Sequence, residues 1–165
     1  MVSTVKIEVI TTGGTIDKIY FDALSEYQIG EPVIEALLQK MGVVFEFKVT
    51  PLMRKDSLEL DDNDRLAIHA AVRDSKADKV LITHGTDTMA NTAVMLQELT
   101  DKCIVLTGAL QPAAFSNTDA IFNIGCAIGA LQSKASGVYI AMNGVVFDAL
   151  KVRKNRDKNC FEVAP

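Results

Sequence analysis

Two apolar patterns alternate along this chain. Short stretches are either nearly all apolar or alternate strictly with polar residues, as strands do. These are TVKIEVIT (4–11), VVFEFKVTPL (43–52), KVLITHG (79–85), CIVLTGAL (103–110) and GVYIAMNGVVFDAL (137–150), the last read as a strand or hairpin. Between them, apolar residues recur at helical spacing in EPVIEALLQKMG (31–42), DDNDRLAIHAAVRDSKA (61–77), DTMANTAVMLQELT (87–100) and TDAIFNIGCAIGALQSK (118–134). Pro32 stands near the start of the first helix and Gly42 just past its end. Acids open the second, where they suit the positive end of the helix dipole. Strand and helix in repeated alternation predict a three-layer α/β/α domain with a mostly parallel sheet.

In such sheets ligands bind beyond the carboxyl ends of the strands. That rule selects TTGGTID, PLMRKDS, THGTDT, TGALQPAAFSNTD and AMNG as the segments that converge on one sheet edge. Four of the five are rich in Gly, Thr, Ser, Asp or Asn. TTGGTID sets Thr11, Thr12 and Thr15 around Gly13 and Gly14. Paired glycines permit close backbone approach, and the segment reads equally as a tight turn. It is neither GxGxxG nor a P-loop, which argues against a nucleotide-binding flavodoxin-like domain. THGTDT places His84, Thr86, Asp87 and Thr88 together after a buried strand. A helix cap accounts for one of them, not for all four.

The sequence has 165 residues, enough for one domain over 1–165. A net charge of −4 leaves no basic footprint for nucleic acid, and no apolar run reaches membrane-spanning length. The start lacks the marks of a signal peptide, so the cytoplasm is the expected compartment. Three widely spaced cysteines, Cys103, Cys126 and Cys160, read as free thiols. With two histidines in the chain and His69 on a helix face, there is no Ser-His-Asp set. A hydroxyl nucleophile would then need another base, and a lysine can serve. The basic run KVRKNRDKN (151–159) reads as a solvated end or as a subunit contact.

TTGGTI, ITHGTDTM and TGALQP with its following S, TDA and FN resemble the motifs of the bacterial-type L-asparaginase/glutaminase family. The resemblance implies a flavodoxin-like, doubly wound fold and release of ammonia from L-asparagine or a related small amino-acid amide. It implies no metal or organic cofactor. It places the nucleophile at Thr12, its partner at Tyr27 on a flexible segment, and a hydroxyl-carboxylate-ammonium set at Thr86, Asp87 and Lys134. Ser57 would hold the substrate's α-carboxylate and Asp87 its α-amino group, with Gly13 and Gly85 also at the substrate and backbone N–H groups near Gly13 or Thr86 as candidates to face the oxyanion. His84 is expected to be structural, and Asn143 to close a turn or order the site. Leu58 and Gln111 depart from the family pattern, where a polar residue and an arginine are common. The resemblance covers the first of the family's two domains, so a single domain without the second, smaller one is the expected organisation, and a homo-oligomer the expected assembly. The alternative reading is a degenerate domain that binds a small amino acid or a partner without turnover.

Overall fold

The structure, a computed structural model, describes residues 4–165; the first three residues of the start segment lie outside that range. In chain order its elements are β1 (Lys6–Thr11), β2 (Lys18–Phe21), β3 (Glu26–Ile29), α1 (Ile34–Lys40), β4 (Glu46–Pro51), α2 (Asp62–Asp74), β5 (Lys79–Thr83), α3 (Met89–Met95), β6 (Cys103–Thr107), α4 (Ala120–Ser133), β7 (Gly137–Met142), β8 (Val145–Asp148), β9 (Val152–Asn155) and β10 (Cys160–Val163).

The central sheet runs β4-β1-β5-β6-β7-β8. The first five strands are parallel and β8 returns antiparallel to β7. Counting only the parallel strands in chain order, the spatial order is 2-1-3-4-5, the flavodoxin-like arrangement expected. The direction of winding reverses between β1 and β5. There the loops leaving neighbouring strands diverge to opposite faces and open a crevice. Thr11, Thr83 and Thr107 stand in register across β1, β5 and β6 at this carboxyl edge.

Side chains of the central strands alternate between two buried faces. Ile10, Val80, Ile82 and Ile104 meet Ile68 and Val72 of α2 and Met89 and Ala93 of α3. Ile7, Val9, Leu81 and Val105 meet Ile34 and Leu38 of α1 and Ala127 and Leu131 of α4. The three layers follow from this alternation.

The helix starts have clear local causes. Asp61 accepts from the Asp64 N–H at 2.9 Å, and the Asp64 carboxylate accepts from the Asp61 N–H at 3.0 Å, a reciprocal cap for α2. α3 ends earlier than its apolar pattern predicts. After Met95 the backbone tightens to i→i+3 bonds, Leu96 N–H to Ala93 and Gln97 N–H to Val94, so the chain turns while Leu96 stays buried.

Two hairpins had no counterpart in the sequence pattern. β2 pairs with β3 across Tyr20 and Tyr27, so the stretch holding Tyr27 is a strand. β9 pairs with β10, and Val152 and Phe161 pack into the α2/α3 face. The basic run is therefore not a solvated end. Among the described residues no helix is long and apolar enough to cross a membrane.

Candidate active site

Three loops meet at the switch point because glycine lets their backbones touch. Gly13 and Gly14 have φ of 101° and 91°, a region closed to most side chains. A Cβ on Gly14 would lie 2.5 Å from the Gly85 Cα, and one on Gly85 would lie 2.7 Å from the Ser57 Cβ. TTGGTID and THGTDT are thus in direct backbone contact, so Thr15 and Thr86, the next residues in each, flank that contact. Gly13 and Gly85 act first as spacers between the loops. Among the described residues, the N–H groups of Gly14, Gly85 and Thr86 donate to no protein acceptor, which leaves them open to an anionic oxygen.

Thr86 and Asp87 come together, and a lysine joins them. It is Lys154, not Lys134. The Lys154 ammonium donates to the Thr86 hydroxyl at 2.8 Å and to the Asp87 carboxylate at 3.0 Å. Lys134 caps the C-terminus of α4 just before β7 begins, so it belongs to the amino edge of the sheet. Its ammonium lies 5.7 Å from the centre of the Tyr139 ring. A strand of this length is roughly 16–17 Å long, which separates Lys134 from the site. Spacing along α4 pointed to Lys134, whereas the lysine that reaches Thr86 and Asp87 arrives from a later hairpin. A signal for it was available: in a strand of period two, Lys154 shares a face with the buried Val152.

Thr12 also departs from its expected role. It is 1% exposed, and its hydroxyl donates to the Thr83 carbonyl at 2.9 Å. Its backbone continues the sheet contact, with the N–H on the Thr83 carbonyl and the carbonyl accepting from the Lys55 N–H. This hydroxyl is committed to holding β1 beside β5. Thr15 follows the double glycine and opens a short 3-10 turn. It is partly exposed, and its hydroxyl makes no hydrogen bond among the described residues.

Ser57 is sealed at 1% exposure. Its hydroxyl accepts from the Thr88 N–H at 3.2 Å, and the Thr88 hydroxyl donates to the Ser57 carbonyl at 2.7 Å. The pair ties the second loop to the third and leaves Ser57 no open face toward a ligand. Tyr27 stands half-exposed on β3, edge-on to Tyr20 at 5.4 Å and to Phe115 at 5.8 Å between ring centres.

His84 is fully buried. One ring nitrogen lies 2.7 Å from the Gly85 carbonyl and the other 2.8 Å from the Thr92 hydroxyl. A carbonyl only accepts, so Nδ1 carries the proton and Nε2 accepts from Thr92. Burial lowers its pKa to about 4, so the ring is neutral at physiological pH and serves as a strut. Asn143, at φ 53°, closes the β7–β8 turn with Gly144. Its side-chain oxygen accepts from the Phe161 N–H at 2.7 Å, which fastens the β9–β10 hairpin and with it Lys154.

Around Asp87 the charges are mixed. Arg156 lies 3.6 Å from the same carboxylate oxygen that Lys154 holds. Asp56, paired with Lys18 at 3.2 Å, is pushed up by burial, but its bonds from Leu58 and Lys18 and the field of Lys154 hold it below the usual range.

A doubly wound sheet whose switch point carries paired hydroxyls, a carboxylate and a lysine, but no phosphate-binding loop, frames a site for hydroxyl and proton-transfer chemistry on a small polar molecule. Residues 6–163 match the family described as Asparaginase, N-terminal. The chain is 33% identical over 160 residues to L-asparaginase 2 of Escherichia coli (strain K12), covering 90% of this chain and 46% of that protein. It is 30% identical over 160 residues to the glutaminase-asparaginase of Acinetobacter glutaminasificans, covering 88% and 48%. The thermostable L-asparaginase from Thermococcus kodakarensis superposes with a TM-score of 0.82 at 26% identity, covering 96% of this chain and 51% of that one. The chain belongs to the asparaginase family, in the part described as its N-terminal domain. It spans about half the length of the curated relatives it matches.

Proposed function

We propose that this chain carries an amidohydrolase centre that releases ammonia from L-asparagine or a related small amino-acid amide. The observation that supports it best is the Lys154 ammonium bound at once to the Thr86 hydroxyl and the Asp87 carboxylate in a largely buried crevice. A lysine between a hydroxyl and a carboxylate can pass a proton in either direction, as acyl transfer requires.

In this reading Thr15 is the nucleophile, in place of Thr12. Its oxygen bonds to the amide carbon, and its proton passes through Thr86 and Lys154 to the departing nitrogen, which leaves as ammonia. Water then attacks the acyl-threonine ester, releases the carboxylate product and restores the hydroxyl. N–H groups at Gly14, Gly85 and Thr86 stabilise the oxygen that gains charge in both steps. Tyr27 closes over the first loop, and Asp87 keeps Lys154 and the substrate in place. Residues 1–165 would form one catalytic unit, and a homo-oligomer fits the family.

Ammonia release from L-asparagine and L-glutamine tests this. The wild type and Thr12→Ala are expected to be active, and Thr15→Ala to lose about a hundredfold or more of kcat. Activity kept in Thr15→Ala but lost in Thr86→Ala would move the nucleophile to Thr86. No turnover of either amide by folded wild type would favour a binding module without turnover.

A further inference from the structure

The central sheet ends on one side at β4, which among the described residues pairs with β1 alone. Its inner bonds fix which backbone groups are free. The Glu46 N–H donates to the Val5 carbonyl and the Leu52 N–H to the Thr11 carbonyl, each at 3.0 Å, so even-numbered positions of the strand turn to β1. Phe45, Phe47 and Val49 therefore direct their N–H and C=O groups outward, at an open edge. Pro51, the next outward position, has no N–H and ends the run.

The side chains along this edge carry a pattern. Phe45, Phe47 and Val49 lie partly buried on the α1 side of the sheet. On the other side Glu46 and Lys48 are exposed, and each faces an opposite charge on β1. Glu46 lies 3.3 Å from Lys6, and Lys48 lies 3.9 Å from Glu8. An antiparallel strand added here must set outward positions against outward positions, so its register slides in steps of two residues. If the added strand is identical and Phe47 meets its own copy, all three outward residues are paired. Phe45 then meets Val49 twice, and Glu46 meets Lys48 twice. One step either way sets Glu46 against Glu46 or Lys48 against Lys48, and pairs fewer outward residues.

We propose that two copies of this chain join edge to edge through β4 in this register, so that one sheet runs across both. The contact is two-fold symmetric and closes at a dimer. About six backbone hydrogen bonds hold it. The Glu46–Lys48 pairs fall at non-hydrogen-bonded positions, with Cα atoms about 4.5 Å apart, close enough for ion pairs. Charge then alternates across four strands, from Lys6 and Glu46 to the partner's Lys48 and the partner's Glu8. The whole chain carries a net charge of −4, but the charged side chains of β1 and β4, Lys6, Glu8, Glu46 and Lys48, sum to zero. The dimer stands apart from the amidohydrolase reading and is read without substrate.

Sedimentation equilibrium over a concentration series tests it with wild type, Glu46→Lys and Lys48→Glu. Both side chains are largely exposed, so each variant should keep the wild-type melting temperature. Wild type is expected to dimerise. Either variant alone sets like charges together at both pairs and should weaken association about tenfold or more. An equimolar mixture of the two variants restores both opposite-charge pairs and should dimerise as wild type does, which a misfolded variant could not. A monomeric wild type overturns the proposal. So does an oligomer that both variants leave unchanged, or a mixture no more associated than its parts.

Discussion

Lys154 donates to the hydroxyl of Thr86, a residue 68 positions earlier in the chain, at 2.8 Å. The same ammonium binds Asp87 at 3.0 Å, and among the described residues no other lysine reaches either group. Lys154→Met should therefore remove the proton relay and lower kcat by about a hundredfold to ten-thousandfold. Lys134→Met, at the opposite edge of the sheet, should change kcat less than about twofold. The pair of variants assayed together on L-asparagine decides which lysine serves the site. Loss in Lys134→Met with activity kept in Lys154→Met would reverse the assignment.

The closeness of the loops depends on Gly85. A methyl there would press to 2.7 Å from the Ser57 Cβ, well inside contact distance. Gly85→Ala should force the second and third loops apart and break the Thr88–Ser57 bonds. Strain and two lost hydrogen bonds together predict a loss of about 2–4 kcal/mol in unfolding free energy, read by urea titration. Gly42→Ala is the control for a glycine in open space: with φ 64° it carries only the backbone penalty, about 1 kcal/mol.

The layered fold was legible because Val80, Leu81 and Ile82 form an apolar run too short for a helix and too continuous for a solvated strand. The convergence of TTGGTID and THGTDT was legible for a related reason: in parallel sheets, loops after strands share one edge. Lys154 was hidden because its neighbours Lys151, Arg153 and Arg156 make the segment read as a charged tail. Only pairing with β10 and burial of Val152 turn that run into a strand with an inward face. Thr12 and Thr15 both flank the double glycine, and no periodicity separates them. Their surroundings diverge through a tertiary bond, Thr12 to the Thr83 carbonyl, that belongs to strand pairing across 71 residues.

Asn143 offers a way to move Lys154 without touching it. Its side chain is the acceptor for the Phe161 N–H at 2.7 Å, and its backbone sits at φ 53°. Asn143→Gly keeps that backbone geometry and deletes the hydrogen bond. The hairpin should loosen, with stability falling by about 1–2 kcal/mol for the unpaired amide. Ammonia release should fall by more than this loss of folded protein explains, because the lysine is no longer held on Thr86. A variant with full kcat would show that the hairpin is seated by Val152 and Phe161 packing alone.

Asp17 and His84 set opposing pH dependences of stability. Asp17 is 2% exposed and closes the base of the β2–β3 hairpin. Its carboxylate accepts from the Val33 N–H at 3.0 Å. Burial pushes its pKa from 3.8 up to about 6, although the Val33 bond and Arg54 pull the other way. An acid with a raised folded pKa contributes stability that is complete below about 4 and lost as pH rises through about 6. His84, lowered from 6.5 to about 4 by burial, contributes stability that is complete above 6.5 and lost as pH falls through about 4. Each amounts to about 3 kcal/mol, so between pH 4 and 6 the two largely cancel. Asp17→Asn keeps an acceptor for Val33 and removes the buried charge. It should raise stability at pH 7.5 by about 1–3 kcal/mol and expose the His84 slope, with stability falling steeply from pH 6.5 to 4. Urea midpoints of wild type and variant at four pH values across that range check both signs. A variant less stable than wild type at pH 7.5 would mean that the ionised carboxylate is a net asset at the hairpin base.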